Sequence, residues 1–177
     1  MPVALLGLQQ GENLFVDADG HWDATYIPAI IRRYPFVLAR TDEENRFSVC
    51  IDEDCPFLGT EGEGKALFTE SGEPSEVTER VKRYLRELHQ MEVVTKLLCK
   101  TLKEKYMFAP LNMQVREADT VKNISGAFVI HEQRLNNMSD SDFLELRHQN
   151  FLPAIFNHLA SLGQIERLAQ MRQRRLQ

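Results

Sequence analysis

Between Val77 and Leu102 an apolar residue returns every three or four positions: Val77, Val81, Tyr84, Leu85, Leu88, Met91, Val94, Leu97, Leu98 and Leu102. That spacing matches the 3.6-residue turn and predicts one long amphipathic helix, opened by Pro74 and Ser75. At 1.5 Å per residue it reaches about 45 Å, long enough to lie across a whole domain, unless it breaks near Gln90 or Thr95. A stripe of that length has to be covered. Usually the cover is the protein's own sheet; the alternative is a second chain, which turns the helix face into an interface.

Upstream of this helix the pattern is extended. Val3 to Leu8 is short and apolar, as a strand buried on both faces would be. Leu14-Phe15-Val16 leads into Asp17-Ala18-Asp19-Gly20 and then His21-Trp22, a tight turn between two extended arms. Asp-x-Asp-Gly also starts calcium loops, but Pro28 stands where the closing bidentate Glu belongs, so the turn is the reading taken. Asp23 suits a helix N-cap, with Pro28 near the first turn. Ile27, Ile30, Ile31 and Tyr34 would share its apolar face, and Pro35 would end it. Phe36–Ala39 and Phe47–Ile51, joined by the polar run Thr41–Asn45, read as a hairpin. Gly59–Gly72 reads as a loop or linker around Ala66-Leu67-Phe68.

Downstream, Leu111, Met113 and Val115 alternate with polar residues, as do Ile124, Gly126, Phe128 and Ile130. Two antiparallel strands linked through Glu117–Asn123 account for both runs. Ser139 is placed to cap a short helix carrying Phe143, Leu144 and Leu146, with Asp140 and Asp142 in its first turn. A last helix is expected from Asn150 as its cap, with Pro153 in the first turn and a stripe from Phe151 to Leu168. Arg172, Arg174 and Arg175 stand at its negative end.

Composition narrows the function classes. With 177 residues and 43% apolar content the chain can bury one sizeable core, or two packed subdomains. A net charge of −5 argues against extended nucleic-acid binding and against adhesion to an anionic membrane. No apolar run approaches a bilayer span, and the N-terminus lacks a basic secretory lead, so a soluble cytoplasmic protein is expected. Cys50, Cys55 and Cys99 are too few for a disulfide framework, and Cys50 with Cys55 reads as a strand end followed by an acidic turn. The five histidines show no HxH or HExxH spacing. His158 and Ser161 are neighbours on a helix, with no nucleophile elbow. Phosphate-binding glycine loops are missing too, so no cofactor or metal is expected.

The chemistry-bearing candidates lie in the dense block from Gly11 to Ala39. Trp22 could stack on a ligand, although a lone Trp after a turn is more often a core anchor. Arg32 and Arg33 beside Tyr34 could hold a carboxylate or phosphate, although an Arg there more often pairs with Asp23, Asp52 or another acid.

The same block carries a family likeness. Ala4-Leu5-Leu6-Gly7-Leu8, Glu12-Asn13-Leu14-Phe15-Val16, Gly20-x-Trp22-Asp23-Ala24, Tyr26-Ile27-Pro28-Ala29 and Ile31-Arg32-Arg33-Tyr34-Pro35-Phe36 resemble successive pieces of the bacterial SapC pattern. Cys50-Ile51-Asp52, Leu67-Phe68, Gly72-Glu73-Pro74, Gly126-Ala127-Phe128-Val129-Ile130 and His158-Leu159-Ala160-Ser161-Leu162-Gly163-Gln164 continue it through nearly all of the chain. Family members usually carry roughly sixty further residues before the segment that starts here at Met1. The resemblance implies no established biochemical activity.

The expectations are therefore an α+β fold: a sheet-rich N-terminal half, a long central helix, and a C-terminal strand pair with covering helices. Residues 1–177 form one domain, with a subdivision into 1–58 and 75–177 as the variant. The favoured function is a non-catalytic accessory role through a protein partner or homodimer. The alternative is a small-molecule binder or enzyme centred on Trp22, Asp23, Arg32, Arg33 and Tyr34, with Asp23 or His21 as the ionisable group.

Overall fold

The computed structural model describes residues 1–42, 46–60, 64–117 and 120–175. It is an α+β protein built from small antiparallel sheets and six helices among those residues. Two compact units form, Met1–Ala24 with Thr95–Gln177 and Thr25–Val94. Each is described by itself.

In the second unit, α1 (Ala29–Arg32) is a single turn, followed by the hairpin β1 (Phe36–Arg40) and β2 (Phe47–Ile51) and by the start of α2 (Glu76–Glu104). The hairpin register pairs Phe36 with Ile51, Leu38 with Val49 and Arg40 with Phe47, so Phe36, Leu38, Phe47, Val49 and Ile51 share one half-buried face. Its connecting residues 43–45, and 61–63 of the expected linker, lie outside the described residues. Phe68 and Pro74 form an isolated antiparallel bridge just before α2. Ser75 then accepts the Thr78 N–H at 3.4 Å on its hydroxyl, while Glu76 and Glu79 complement the positive helix start. The 29-residue helix runs without a break at Gln90 or Thr95.

Asp23 does not cap the helix expected after it, which begins only at Ala29 and is shorter than the sequence pattern suggests. Pro28 precedes α1 with no side-chain cap, and Ile30 and Ile31 are exposed at 63% and 40%. Pro35 follows so closely, disfavouring helical geometry at Tyr34, that no second turn develops.

The first unit holds the main core. Leu102, Met107, Ile130, Leu135, Leu146, Phe151 and Ile155 pack together, with Leu146 and Ile155 fully buried. Each such side chain contributes about 1.5–3 kcal/mol through burial. The sequence suggested one strand pair here; the structure has two. β3 (Phe108–Pro110) pairs with β6 (Phe128–Ile130), while β4 (Met113–Glu117) pairs with β5 (Thr120–Ile124). Thr120–Asn123, expected as connection, is strand instead, paired from Gln114↔Asn123 to Glu117↔Thr120, while residues 118 and 119 of that connection lie outside the described residues.

After α3 (Glu132–Asn136), Ser139 caps α4 (Asp140–His148), its hydroxyl accepting the Asp142 N–H at 3.2 Å. Such a cap contributes about 1 kcal/mol. Asn150 does not cap the last helix. It adopts φ 57° beyond the end of α4, where the Phe151 N–H reaches the Leu146 carbonyl at 2.9 Å. The expected single last helix is two, α5 (Leu152–Leu162) and α6 (Gln164–Arg175), interrupted at Gly163.

The N-terminal segment corrects a further expectation. Val3–Leu8 is not a strand, and Val3 is 77% exposed. It is held instead at Leu6, whose carbonyl accepts the Leu14 N–H at 2.7 Å, and at Leu8, whose N–H donates to Glu12 Oε2 at 2.7 Å. The chain turns so tightly that a Cβ on Gly7 would meet the Glu12 carbonyl at 2.6 Å. Glu12 Oε1 lies 3.1 Å from Arg172 Nε. Arg175 donates to the carbonyls of Asn13 at 3.1 Å and Leu14 at 2.8 Å. The basic end of α6 thereby fastens the segment from Glu12 to Leu14 to the first unit.

Candidate functional site

The residues singled out in the sequence separate between the units: Trp22 and Asp23 belong to the first, and Arg32, Arg33 and Tyr34 to the second. In the first unit the expected turn forms. Val16 and Trp22 pair across it, and Asp17 Oδ1 accepts the N–H groups of Asp19 at 3.0 Å and His21 at 2.8 Å. Trp22 stacks on Phe15 with ring centroids 5.7 Å apart, and the Asp23 N–H donates to the Phe15 carbonyl at 2.7 Å. Asp17, Asp19 and His21 bring one donor atom each within 4.8 Å of one another, all three exposed. The Asp17 carboxylate is already engaged in closing the turn.

In the second unit Arg32 is stacked on aromatic rings. Its guanidinium lies 4.9 Å from the Tyr26 ring centroid and 5.8 Å from that of Tyr84, and it donates to the Tyr26 hydroxyl at 3.2 Å. The buried Tyr84 hydroxyl has no hydrogen-bond partner among the described residues. Arg33 is half-buried, and Tyr34 is half-exposed against the acidic turn after β2. There the Tyr34 phenol is pushed up to about 12, first by its hydrogen bond with Cys55, then by desolvation and by the Asp52 carboxylate. Cys55 is buried while Cys50 is exposed.

Three surfaces went unread in the sequence. In the first unit, a cleft of about 780 Å³ is lined by Thr101, Lys105, Arg134, Asp142 and Glu145. Its charges are matched: Lys105 pairs with Asp142 and, at 2.8 Å, with Glu145, while Arg134 donates to the Tyr106 carbonyl at 2.6 Å. Those bonds hold the Lys105 pKa above 10.5 and the Asp142 carboxyl below its usual 3.8. Nearby, a smaller apolar groove of about 360 Å³ is bordered by Phe128, His158 and Leu162. His158 Nε2 accepts the Ile130 N–H at 3.1 Å, and Ser161 donates to the His158 backbone carbonyl at 2.7 Å, so the two side chains face different partners. Burial lowers the His158 pKa from 6.5.

The third surface is a groove of about 620 Å³ in the second unit, between the inner face of the β1–β2 hairpin and the start of α2. Two sequence signals mark it together. The hairpin is apolar at every second residue, and Thr78, Lys82, Arg86 and His89 recur at helical spacing. Neither signal alone says that the two faces meet.

No helix among the described residues is long and apolar enough to cross a membrane. The SapC family model matches residues 1–168, nearly the whole chain. Comparisons with curated proteins and with solved structures give no match.

Proposed function

We propose that this chain, which belongs to the SapC family, is a non-catalytic accessory protein that works by protein association, with a second copy of itself as the partner. The imbalance of the second unit carries this reading. Among its described residues only Cys55 and Leu85 are buried, while Ile30, Phe57, Phe68, Met91, Val93 and Val94 are more than half exposed. Burying one Val, Ile, Phe or Met contributes about 1.5–3 kcal/mol, so covering these side chains in an interface is favourable.

Met91 and Val94 lie three residues apart on α2, at 63% and 56% exposure, and give the helix an uncovered apolar strip. A helix face packed on its own copy is self-complementary under a two-fold axis, so one strip serves both subunits. The test is sedimentation of the full chain over a concentration series. The wild type should approach twice the 20.5 kDa chain mass. Met91→Glu/Val94→Glu should stay monomeric with its helical content intact.

A second reading keeps an anion site at Arg33, which is half-buried and makes no ion pair among the described residues. Arg33→Ala with unchanged melting temperature and lost phosphate binding would favour it; a lowered melting temperature with no phosphate binding in the wild type would retire it.

A further inference from the structure

The groove of the second unit brings together two faces that do not satisfy each other. Its floor is the inner side of the hairpin, where Phe36, Leu38, Val49 and Ile51 are half-buried. Ordinarily an amphipathic helix would lay its apolar stripe on such a floor. Here the opposing wall of α2 is Thr78, Lys82, Arg86 and His89, and Arg46 stands at the far end of the hairpin. The floor therefore asks for hydrocarbon, and the wall asks for negative charge.

The charges are only partly answered from within. Lys82 meets Glu79 at 2.8 Å and His89 meets Glu92 at 4.0 Å, each one turn away on the same helix. The His89 ring also tilts against Phe47 with centroids 4.5 Å apart, tying the wall to the floor at that end. Arg86, placed between them, makes no ion pair among the described residues. A guanidinium over an apolar trough is suited to a carboxylate, which it can hold with two parallel bonds.

We infer that this groove binds a single-chain anionic amphiphile of the fatty-acid class, its carboxylate at Arg86 and its hydrocarbon along the hairpin floor. The volume of about 620 Å³ lies within the 300–1,000 Å³ range of ordinary small-molecule sites. Charge sets the choice of ligand: a neutral or cationic amphiphile of equal length fills the floor equally well but leaves the guanidinium unpaired or repelled.

The test is titration calorimetry of the full chain with dodecanoate below its micelle concentration, and with dodecyltrimethylammonium as the cation carrying the same tail. Dodecanoate should bind once per chain, and the cation at least tenfold more weakly. Arg86→Glu, at an exposed position, should weaken dodecanoate at least tenfold. Val49→Trp, which fills the trough and keeps the wall, should do the same. Thermal melts check that both variants fold. Equal binding of the two amphiphiles, no saturable dodecanoate binding, or unchanged affinity in both variants would overturn the inference.

Discussion

Glu12 is the residue on which the N-terminal segment of the first unit hangs. Its two carboxylate oxygens serve two donors, the Leu8 N–H and Arg172 Nε, and the Arg172 and Glu12 side chains are only 10% and 21% exposed. Glu12→Gln preserves shape but offers one acceptor oxygen to those two donors and removes the negative charge facing Arg172. Breaking a buried ion pair from one side costs about 3–5 kcal/mol, and the partial exposure of Glu12 brings this case to about 2–3 kcal/mol. Arg172→Met should cost a similar amount, since it leaves the carboxylate without its cation. The double variant removes both charges together and should fall short of the sum by at least about 1 kcal/mol. Urea unfolding followed by Trp22 fluorescence reads this unit specifically, because Trp22 is the sole tryptophan and stacks on Phe15 of the same segment. With an m-value of about 1–3 kcal/mol/M, each single variant should lower the midpoint by about 0.7–3 M. Additivity within about 0.5 kcal/mol, or single variants as stable as the wild type, would refute the claim that α6 fastens the segment.

The core, His158 and Tyr34 give three further expected outcomes. Leu146→Ala empties a fully buried site in the main core and should cost about 2–5 kcal/mol in the same unfolding assay. His158 favours its neutral form in the folded chain, so its stabilising contribution is complete above pH 6.5 and is lost as the pH falls through the lower folded value. Its imidazole resonances should titrate below 6.5 by NMR; a midpoint at or above 6.5 would count against the buried contact with Ile130. Tyr34→Phe should delete a phenol transition near 12 from the ultraviolet titration, and an unchanged titration curve would remove Tyr34 from its contact with Cys55 and Asp52.

The sequence made some elements legible and hid others for identifiable reasons. α2 declared itself because ten apolar positions kept a single period, and Ser139 capped α4 because the cap is a local bond between neighbours. The Asp17 turn and the β1–β2 hairpin were likewise local. Gly163 escaped because Leu159, Leu162, Ile165 and Leu168 keep helical spacing straight through it, so the interruption leaves the apolar pattern unchanged. Val3–Leu8 has the composition of a strand but no ladder to join, and its backbone is satisfied by Glu12 and Leu14 instead. The alternating runs around Met113 and Phe128 read as one pair of strands rather than two pairs, since period two does not say which strand a strand pairs with.

Among the candidate residues, the pairing of Arg with an acid was the natural expectation, and Arg32 satisfies itself on Tyr26 and Tyr84, one of them more than fifty residues away. The groove at Arg86 belongs to the same kind of information. Alternation marked the hairpin and spacing marked the helix, but only their meeting places cations over an apolar floor.

The uncovered strip on α2 is the centre of the functional account, and hydrogen exchange tests it most directly. Amides from Met91 to Leu97 should exchange more slowly at high protein concentration than at low, in step with a rise in sedimenting mass toward twice 20.5 kDa, and Met91→Glu/Val94→Glu should abolish both changes. A monomer at every concentration, with exchange on α2 independent of concentration, would contradict the proposal that this chain works by associating with its own copy.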